Sequence, residues 1–497
     1  MRFSSESYLR KAAFILSVLY ILSYILLVLK RLNYPFELEW IEGAVVDHCR
    51  WILSGRGLYV PPSINFVPFN YPPLYFYVSA LAMKIFGVGF FAPRFVSFIS
   101  SLGCMGIIYF WVRYETKDRF LSFVTVGLFA AAYKYTGAWY DIARADSLQM
   151  FFIIAALYSA RRLSISKGAV ISAVLLVTSF YIKQSALLIA LSLGIYYFFR
   201  SRKAFLIFSG IFLSFAIGAF LILYWKSNGW FYYYAVLIPQ QHELVRSKII
   251  LFWADPLMRG IAPMFILVIA YLMLGKRKKI IKDGFAFFLL ITVGCILIAF
   301  LTMIHTVAYL NNLIPVVAVI IVFSMISLRF LFGLAVRKGG NWNSFLWLIL
   351  ILQFINFVYI PTQQLPSAED RSAGEKFINL LKGFDGDVLV RDHGYYSVLA
   401  GKRSFAQRMA VKDVMKNPEL EFKGIKPAKI LEEDIVKAIS ERKFSAVIMD
   451  SHNGVPYDED LVEAYYKFSG KVFHSPESFY PITGYRTRPN FLYDKSK

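Results

Sequence analysis

The sequence predicts a polytopic α-helical membrane protein of about 11–13 transmembrane helices, with a small soluble α/β domain at the C-terminal end. Three observations lead there. Hydrophobic residues make up 58% of the 497 residues, above the roughly 45–50% of ordinary soluble domains. Charged residues are only 17%, against about 25% in such domains. The mean hydropathy is +0.53, more apolar surface than one soluble core, which stops growing near roughly 250–300 residues, would hide. A plain soluble enzyme and a disordered chain are both excluded.

Apolar runs long enough for hydrocarbon lie near 13–30, 93–112, 120–137, 146–160, 168–182, 185–199, 204–224, 258–275, 284–304, 307–328 and 344–361. The basic N-terminal stretch precedes the first run without a small-residue cleavage site, so that run reads as an uncleaved first helix. The transmembrane unit covers 1–361, with an external loop over 31–92 that carries interfacial helices. A linker around Pro361 and Pro366 leads to a soluble domain over 367–497, where charges are interspersed with short β-like runs, Val388–Val390 and Ala446–Met449.

The net charge of +22 would suggest nucleic acid in a soluble protein. Here the Lys and Arg residues cluster between apolar runs: Arg2, Arg10 and Lys11; Arg161, Arg162 and Lys167; Arg200, Arg202 and Lys203; Lys276, Lys278 and Lys279; Arg337 and Lys338. That is the pattern that orients membrane helices, with the basic loops inside, and it implies no nucleic-acid partner. The loops 31–92, 138–145, 183–184, 225–257 and 305–306 then face outward, as does the C-terminal domain. A further run, 72–90, would invert every later cluster if it crossed. It opens on Tyr71-Pro72-Pro73 and ends in Gly87 and Gly89, and reads as an interfacial or re-entrant helix. Cys104 and Cys295 sit inside apolar runs, so the three cysteines imply no disulfide framework.

The polar residues that need a reason gather on the outer side. The first loop carries Glu37, Glu39 and Glu42; on a helix Glu39 and Glu42 would share a face. The second carries Asp141, Arg144 and Asp146, the last placed to cap a span. Lys183 stands on the outside against the positive-inside trend, with Lys84 and Lys134 weaker cases. His242 lies in the large external loop 225–257; His305 and the pair Asn311 and Asn312 lie near the outer ends of two spans, as buried polar groups or as contacts to a ligand. In the soluble domain Asp392, His393 and Tyr395 follow one β-run, and Asp450, Ser451 and His452 follow another, where α/β domains place ligands. No P-loop, Rossmann glycine pattern or zinc spacing is present in the sequence.

Outside a cell there is no nucleotide supply, so an activated group arrives already on a carrier. A membrane-anchored phosphate ester suits this: Arg and Lys hold the phosphate, and a carboxylate takes the proton of an acceptor hydroxyl. The paired acids could also bind a hard divalent cation, Mg or Mn.

Glu39-Trp40-Ile41-Glu42-Gly43, Gly55-Arg56-Gly57-Leu58-Tyr59, Tyr71-Pro72-Pro73-Leu74-Tyr75, Phe86-Gly87 and Ala92-Pro93-Arg94, followed by Trp139-Tyr140-Asp141 and Arg144-Ala145-Asp146, resemble the order of motifs in integral-membrane glycosyltransferases of the GT-C fold. They resemble the protein O-mannosyltransferases and the lipid A aminoarabinose transferases. The resemblance implies a GT-C-like architecture, a polyprenyl-phosphate-sugar donor, metal dependence in some members and a first-loop acid as base. Counting back from Gly55 puts Glu42 at that acid, with Glu39 the other candidate. Arg144, Lys183 and Lys84 would hold the donor phosphate. Asp141 and Asp146 would bind metal or acceptor, and His242, His305 and Asn312 would touch substrate. The expected reaction transfers a hexose or pentose to an acceptor hydroxyl of a glycan, lipid or protein at the outer face of the plasma or inner membrane. The alternatives are a transporter or flippase of lipid-linked sugars, which would favour internal repeats and midplane sites, and a receptor-like protein displaying the soluble domain.

Overall fold

All eleven predicted runs are helical in the computed structural model, which describes residues 5–276, 284–306, 308–338, 341–451 and 459–495. Arg2, Arg277, Lys278, Lys279 and His452, and the side chains of Lys276, Arg337 and Lys338, lie outside the described residues. The first nine helices are α1 (Ser5–Arg31), α2 (Glu42–Leu53), α3 (Leu74–Phe86), α4 (Phe91–Thr116), α5 (Arg119–Ala131), α6 (Asp146–Arg162), α7 (Ile165–Ile182), α8 (Ala186–Arg200) and α9 (Arg202–Lys226). Apolar helices over Arg259–Lys276, Gly284–Met303, Ile314–Lys338 and Trp342–Asn356 complete the membrane unit. Leu310–Ala335 is the most enclosed of them, with 83% of its apolar window buried, so it forms the centre of the bundle.

Length separates these helices. Among the described residues seven are long and apolar enough to cross, or eight if Trp342–Asn356 is joined to the bent segment after it. The helices α5, α6 and α8 have 13, 17 and 15 residues, about 20–26 Å at 1.5 Å per residue, short of a hydrocarbon core of about 30 Å. The run 120–137 is helical only to Ala131; turns follow, and Gly137 and Ala138 take positive φ, 87° and 56°, where the chain enters the next loop. The α5 helix starts where Asp118 accepts hydrogen bonds from the backbone N–H groups of Phe120 and Leu121 at 2.9 and 3.1 Å. The run 72–90 becomes α3, only 13 residues, too short to cross and in keeping with an interfacial helix.

The soluble domain holds a four-stranded sheet, β1 (Val388–Val390), β2 (Ala446–Met449), β3 (Lys467–Lys471) and β4 (Phe491–Asp494), in the order β1-β2-β4-β3. β1 and β2 run parallel, with Val388 opposite Ala446; β4 pairs antiparallel with β2 and β3. Every residue of β1 and β2 is buried, so both are continuous apolar runs without alternation. Ser367 and Asp370 form a reciprocal capping box at the helix Ala368–Lys382, which joins the linker to this domain.

The domain sits against the first external loop. Thr483 pairs with Glu39 in a short parallel bridge, and its N–H donates to the Leu38 carbonyl at 3.0 Å. Farther along, Asp413 accepts from the Asn70 amide at 3.2 Å. Burial holds the Asp413 carboxyl up to about 7.

Candidate active site

Four buried acid–base pairs meet where the loops before α2 and α6 converge. Glu42 opens α2 and is fully enclosed. One oxygen accepts from Arg94 Nε at 3.0 Å and from Ala143 N–H at 2.6 Å; the other accepts from Arg94 Nη2 at 2.6 Å and Leu38 N–H at 2.7 Å. Burial alone would raise this carboxyl, but the Arg94 guanidinium and the two backbone donors hold it below its ordinary value. Arg94 also binds the carbonyls of Tyr34 and Phe36, at 2.6 Å each. It thus ties both ends of the loop to α4.

Glu39 is different. It precedes α2 and does not share a helical face with Glu42, because the chain at Glu39 is pulled into the bridge to Thr483. Arg144 Nη1 donates to it at 3.0 Å and Ile41 N–H at 3.3 Å. Burial, the largest influence, and the neighbouring Glu42 outweigh Arg144 and raise its carboxyl to about 7. Gly484, at φ +80°, lies over it: a Cβ there would stand 2.8 Å from Glu39 Oε1.

The third and fourth pairs come from the second external loop. Asp141 meets Arg31, at the end of α1, at 3.0 Å, and accepts from Tyr133 at 2.9 Å. Asp146 meets Lys183 at 2.8 Å and accepts from Trp139 Nε1 and Asn311 Nδ2, at 2.9 Å each. Its role is not the expected cap: Ala145 is the N-cap, and the Asp146 carboxylate is taken by these tertiary donors. Lys183 reaches Asn312 Oδ1 at 3.3 Å. A narrow cleft beside the pairs is lined by Tyr71, Tyr75, Phe76, Arg144, Asp146 and Lys183.

The structure therefore gathers Glu39, Glu42, Arg144, Asp141, Asp146, Lys183 and Asn312. It leaves three candidates elsewhere. Lys84 is exposed in the last turn of α3 and makes none of these contacts. His242 lies 3.6 Å from Asp413 and 3.3 Å from Asn70 at the second docking contact. His305 bonds to the Glu243 carbonyl at 3.2 Å. Sequence reasoning did not single out Arg31 and Arg94, the partners of Asp141 and Glu42. Arg94 lay in a quoted motif; Arg31 is the last residue of an apolar helix, where a basic residue is common.

These carboxylates do not fit a divalent cation. Each is already engaged by its own guanidinium or ammonium group, and among the described residues no three His, Cys, Asp or Glu side chains converge.

Helical bundle, short loop helices and capping sheet domain together define the GT-C fold of integral-membrane glycosyltransferases, and the chain is a multi-pass membrane protein of that architecture. ArnT from Cupriavidus metallidurans bound to undecaprenyl phosphate superposes with a TM-score of 0.62 at 11% identity, over 96% of this chain and 97% of that one. The same protein in the apo state gives 0.57 at 11% identity, with the same coverage of 96% and 97%. The archaeal oligosaccharyltransferase AglB from Archaeoglobus fulgidus, in complex with an inhibitory peptide and a dolichol-phosphate, gives 0.51 at 12% identity, over 98% of this chain and 74% of that one. The sequence pattern of the dolichyl-phosphate-mannose-protein mannosyltransferases matches residues 70–225, which hold the second external loop and Lys183. No curated protein sequence matches the chain.

Proposed function

We propose that the protein transfers a sugar, hexose or pentose, from a polyprenyl-phosphate carrier to an acceptor hydroxyl at the outer face of the cell membrane, with its C-terminal domain on that side. The observation that carries this reading is the cleft lined by Arg144 and Lys183, where Arg144 also pairs with the buried Glu39 at 3.0 Å. Two cations suit a phosphate leaving group, and a carboxylate raised to about 7 suits a general base near neutrality. The match to dolichyl-phosphate-mannose transferases and the lipid phosphates bound by the two structural neighbours support the donor class.

The geometry favours Glu39 as the base and gives Glu42 a holding role, the reverse of the order suggested by counting from Gly55. Glu42 has both oxygens filled by four donors, and its lowered carboxyl is a weak proton acceptor. Glu39 takes the proton from the acceptor hydroxyl, the acceptor oxygen bonds to the anomeric carbon, and the bond from that carbon to the phosphate oxygen breaks. Lipid phosphate leaves against Arg144 and Lys183. A single displacement of this kind inverts the anomeric centre. No step is assigned to a metal.

Purified protein in vesicles should transfer label from a polyprenyl-phosphate-linked sugar into envelope acceptors without any nucleotide sugar. A Lys183→Met variant should bind undecaprenyl phosphate more weakly. Transfer seen only with a nucleotide-sugar donor would overturn the assignment.

A further inference from the structure

The loop that carries Glu39 is held, residue by residue, by the soluble domain. Phe36 packs edge-on against Tyr396 and Phe479, with ring centroids 6.1 and 5.2 Å away. Glu37 N–H donates to Tyr396 Oη at 3.3 Å, and the Leu38 carbonyl accepts from Thr483. Glu39 follows in the bridge to the same threonine. At the centre is His393, 2% exposed, just past β1. Its Nδ1 bonds to Glu37 Oε2 and its Nε2 to Asp450 Oδ2 at 2.9 Å, where Asp450 follows β2. The other Glu37 oxygen accepts from Gly43 N–H at 3.1 Å, inside the first turn of α2.

The carboxyl ends of parallel strands are where α/β domains bind ligands. Here that position is filled by a side chain of the transmembrane unit. We propose that His393 is a positioning residue of the active site: it clasps Glu37 to the soluble domain and thereby sets the place and charge surroundings of Glu39 two residues on. This rests on the reading of Glu39 as base.

Both ring nitrogens face carboxylates, so the bound form is the imidazolium, a donor at each end. Burial opposes that charge, but Asp450 and Glu37 hold the ring's proton well above its ordinary range. Other groups facing the clasp are Tyr396, stacked on the ring at 5.6 Å, Thr487 on Asp450, and the ion pair of Asp47 and Arg50 near Gly394. Arg391 acts on Asp450 through space. The imidazolium offsets the negative charge of Glu37, which itself raises the Glu39 carboxyl.

The sign of each substitution follows. His393→Gln removes the cation and leaves the Glu37 charge uncovered, so the acid limb of kcat/KM moves to higher pH. Glu37→Gln removes the anion and leaves the cation, so the limb moves to lower pH. The double variant Glu37→Gln/His393→Gln removes both and returns the limb toward its original place. The full chain in vesicles would be assayed with the polyprenyl-phosphate sugar that supports transfer, and donor affinity read with undecaprenyl phosphate. His393→Gln should lower kcat by on the order of 10²-fold, the cost of a misplaced base, with donor affinity unchanged and partial recovery of kcat in the double variant.

If His393→Gln fails to fold by thermal melting, Glu37→Gln carries the test through its movement of the acid limb to lower pH, and the double variant through the return of that limb. An unmoved limb in folded Glu37→Gln, a double variant whose limb stays where Glu37→Gln puts it, or a kcat loss matched by weakened donor binding, overturns the positioning role while an inactive Glu39→Gln would leave the base assignment standing. Full turnover in Glu39→Gln removes the base assignment and the positioning role together.

Discussion

Two glutamates three residues apart have opposite physical characters. Glu42 is a buried anion with its lone pairs filled by a guanidinium and two backbone N–H groups. Glu39 has one guanidinium and a strained neighbourhood of like charge. Their glutamine variants should therefore fail differently. Glu39→Gln should fold with near-normal melting and lose about 10²–10⁴-fold in turnover, the usual worth of a general base. Glu42→Gln leaves Arg94 buried with half its partner, a change that costs on the order of 3–5 kcal/mol when such a pair is broken, and should show as a depressed melting temperature. Since Glu39 must be ionised to accept a proton, and its carboxyl is raised to about 7, wild-type kcat/KM should climb as pH rises through about 7 and level off above it. A limb near pH 4 would show that another carboxylate is the base.

At the scale of elements, the segment around Gly484 decides how closely the soluble domain approaches the loop before α2. Its φ of +80° is costly for any other residue, by roughly 1–2 kcal/mol. An added Cβ would also press on Glu39 Oε1 at 2.8 Å, Glu39 Cγ at 2.9 Å and Trp40 Cδ1 at 3.0 Å. Gly484→Ala should thus cost turnover well beyond its modest loss of stability, measured by melting and kcat on one preparation. Equal turnover in the alanine variant would mean that the loop gives way freely. Gly43 works similarly within the first loop: a Cβ would strike the Glu37 carboxylate, which explains the glycine after Glu42.

For the whole molecule, the paired charges are concentrated at one end of the bundle and the soluble domain covers them. In the topology proposed from the basic clusters, that end faces outward. Ser469 lies exposed on β3, the sheet edge away from the docking contacts with β1. A Ser469→Cys variant, with Cys49, Cys104 and Cys295 buried, should react with a membrane-impermeant thiol reagent in intact cells stripped of any outer barrier. Labelling only after lysis would place the domain, and the site beneath it, inside.

The membrane class, the order of helices, the presence of a small C-terminal sheet domain and the clustering of loop charges were all readable from composition and periodicity, because burial in lipid acts on every residue of a run. The acids of both loops, Arg144 and Lys183 stood out for the same reason: charge beside apolar runs is costly without a partner. Which partner each takes was not readable. Glu39 and Glu42 look alike in sequence, and Arg94 sits 52 positions from the carboxylate it neutralises. His393 lies 356 positions from Glu37. Proton affinity depends on burial and on charges a few ångströms away, and those distances exist only once the bundle, the loops and the sheet domain have packed together.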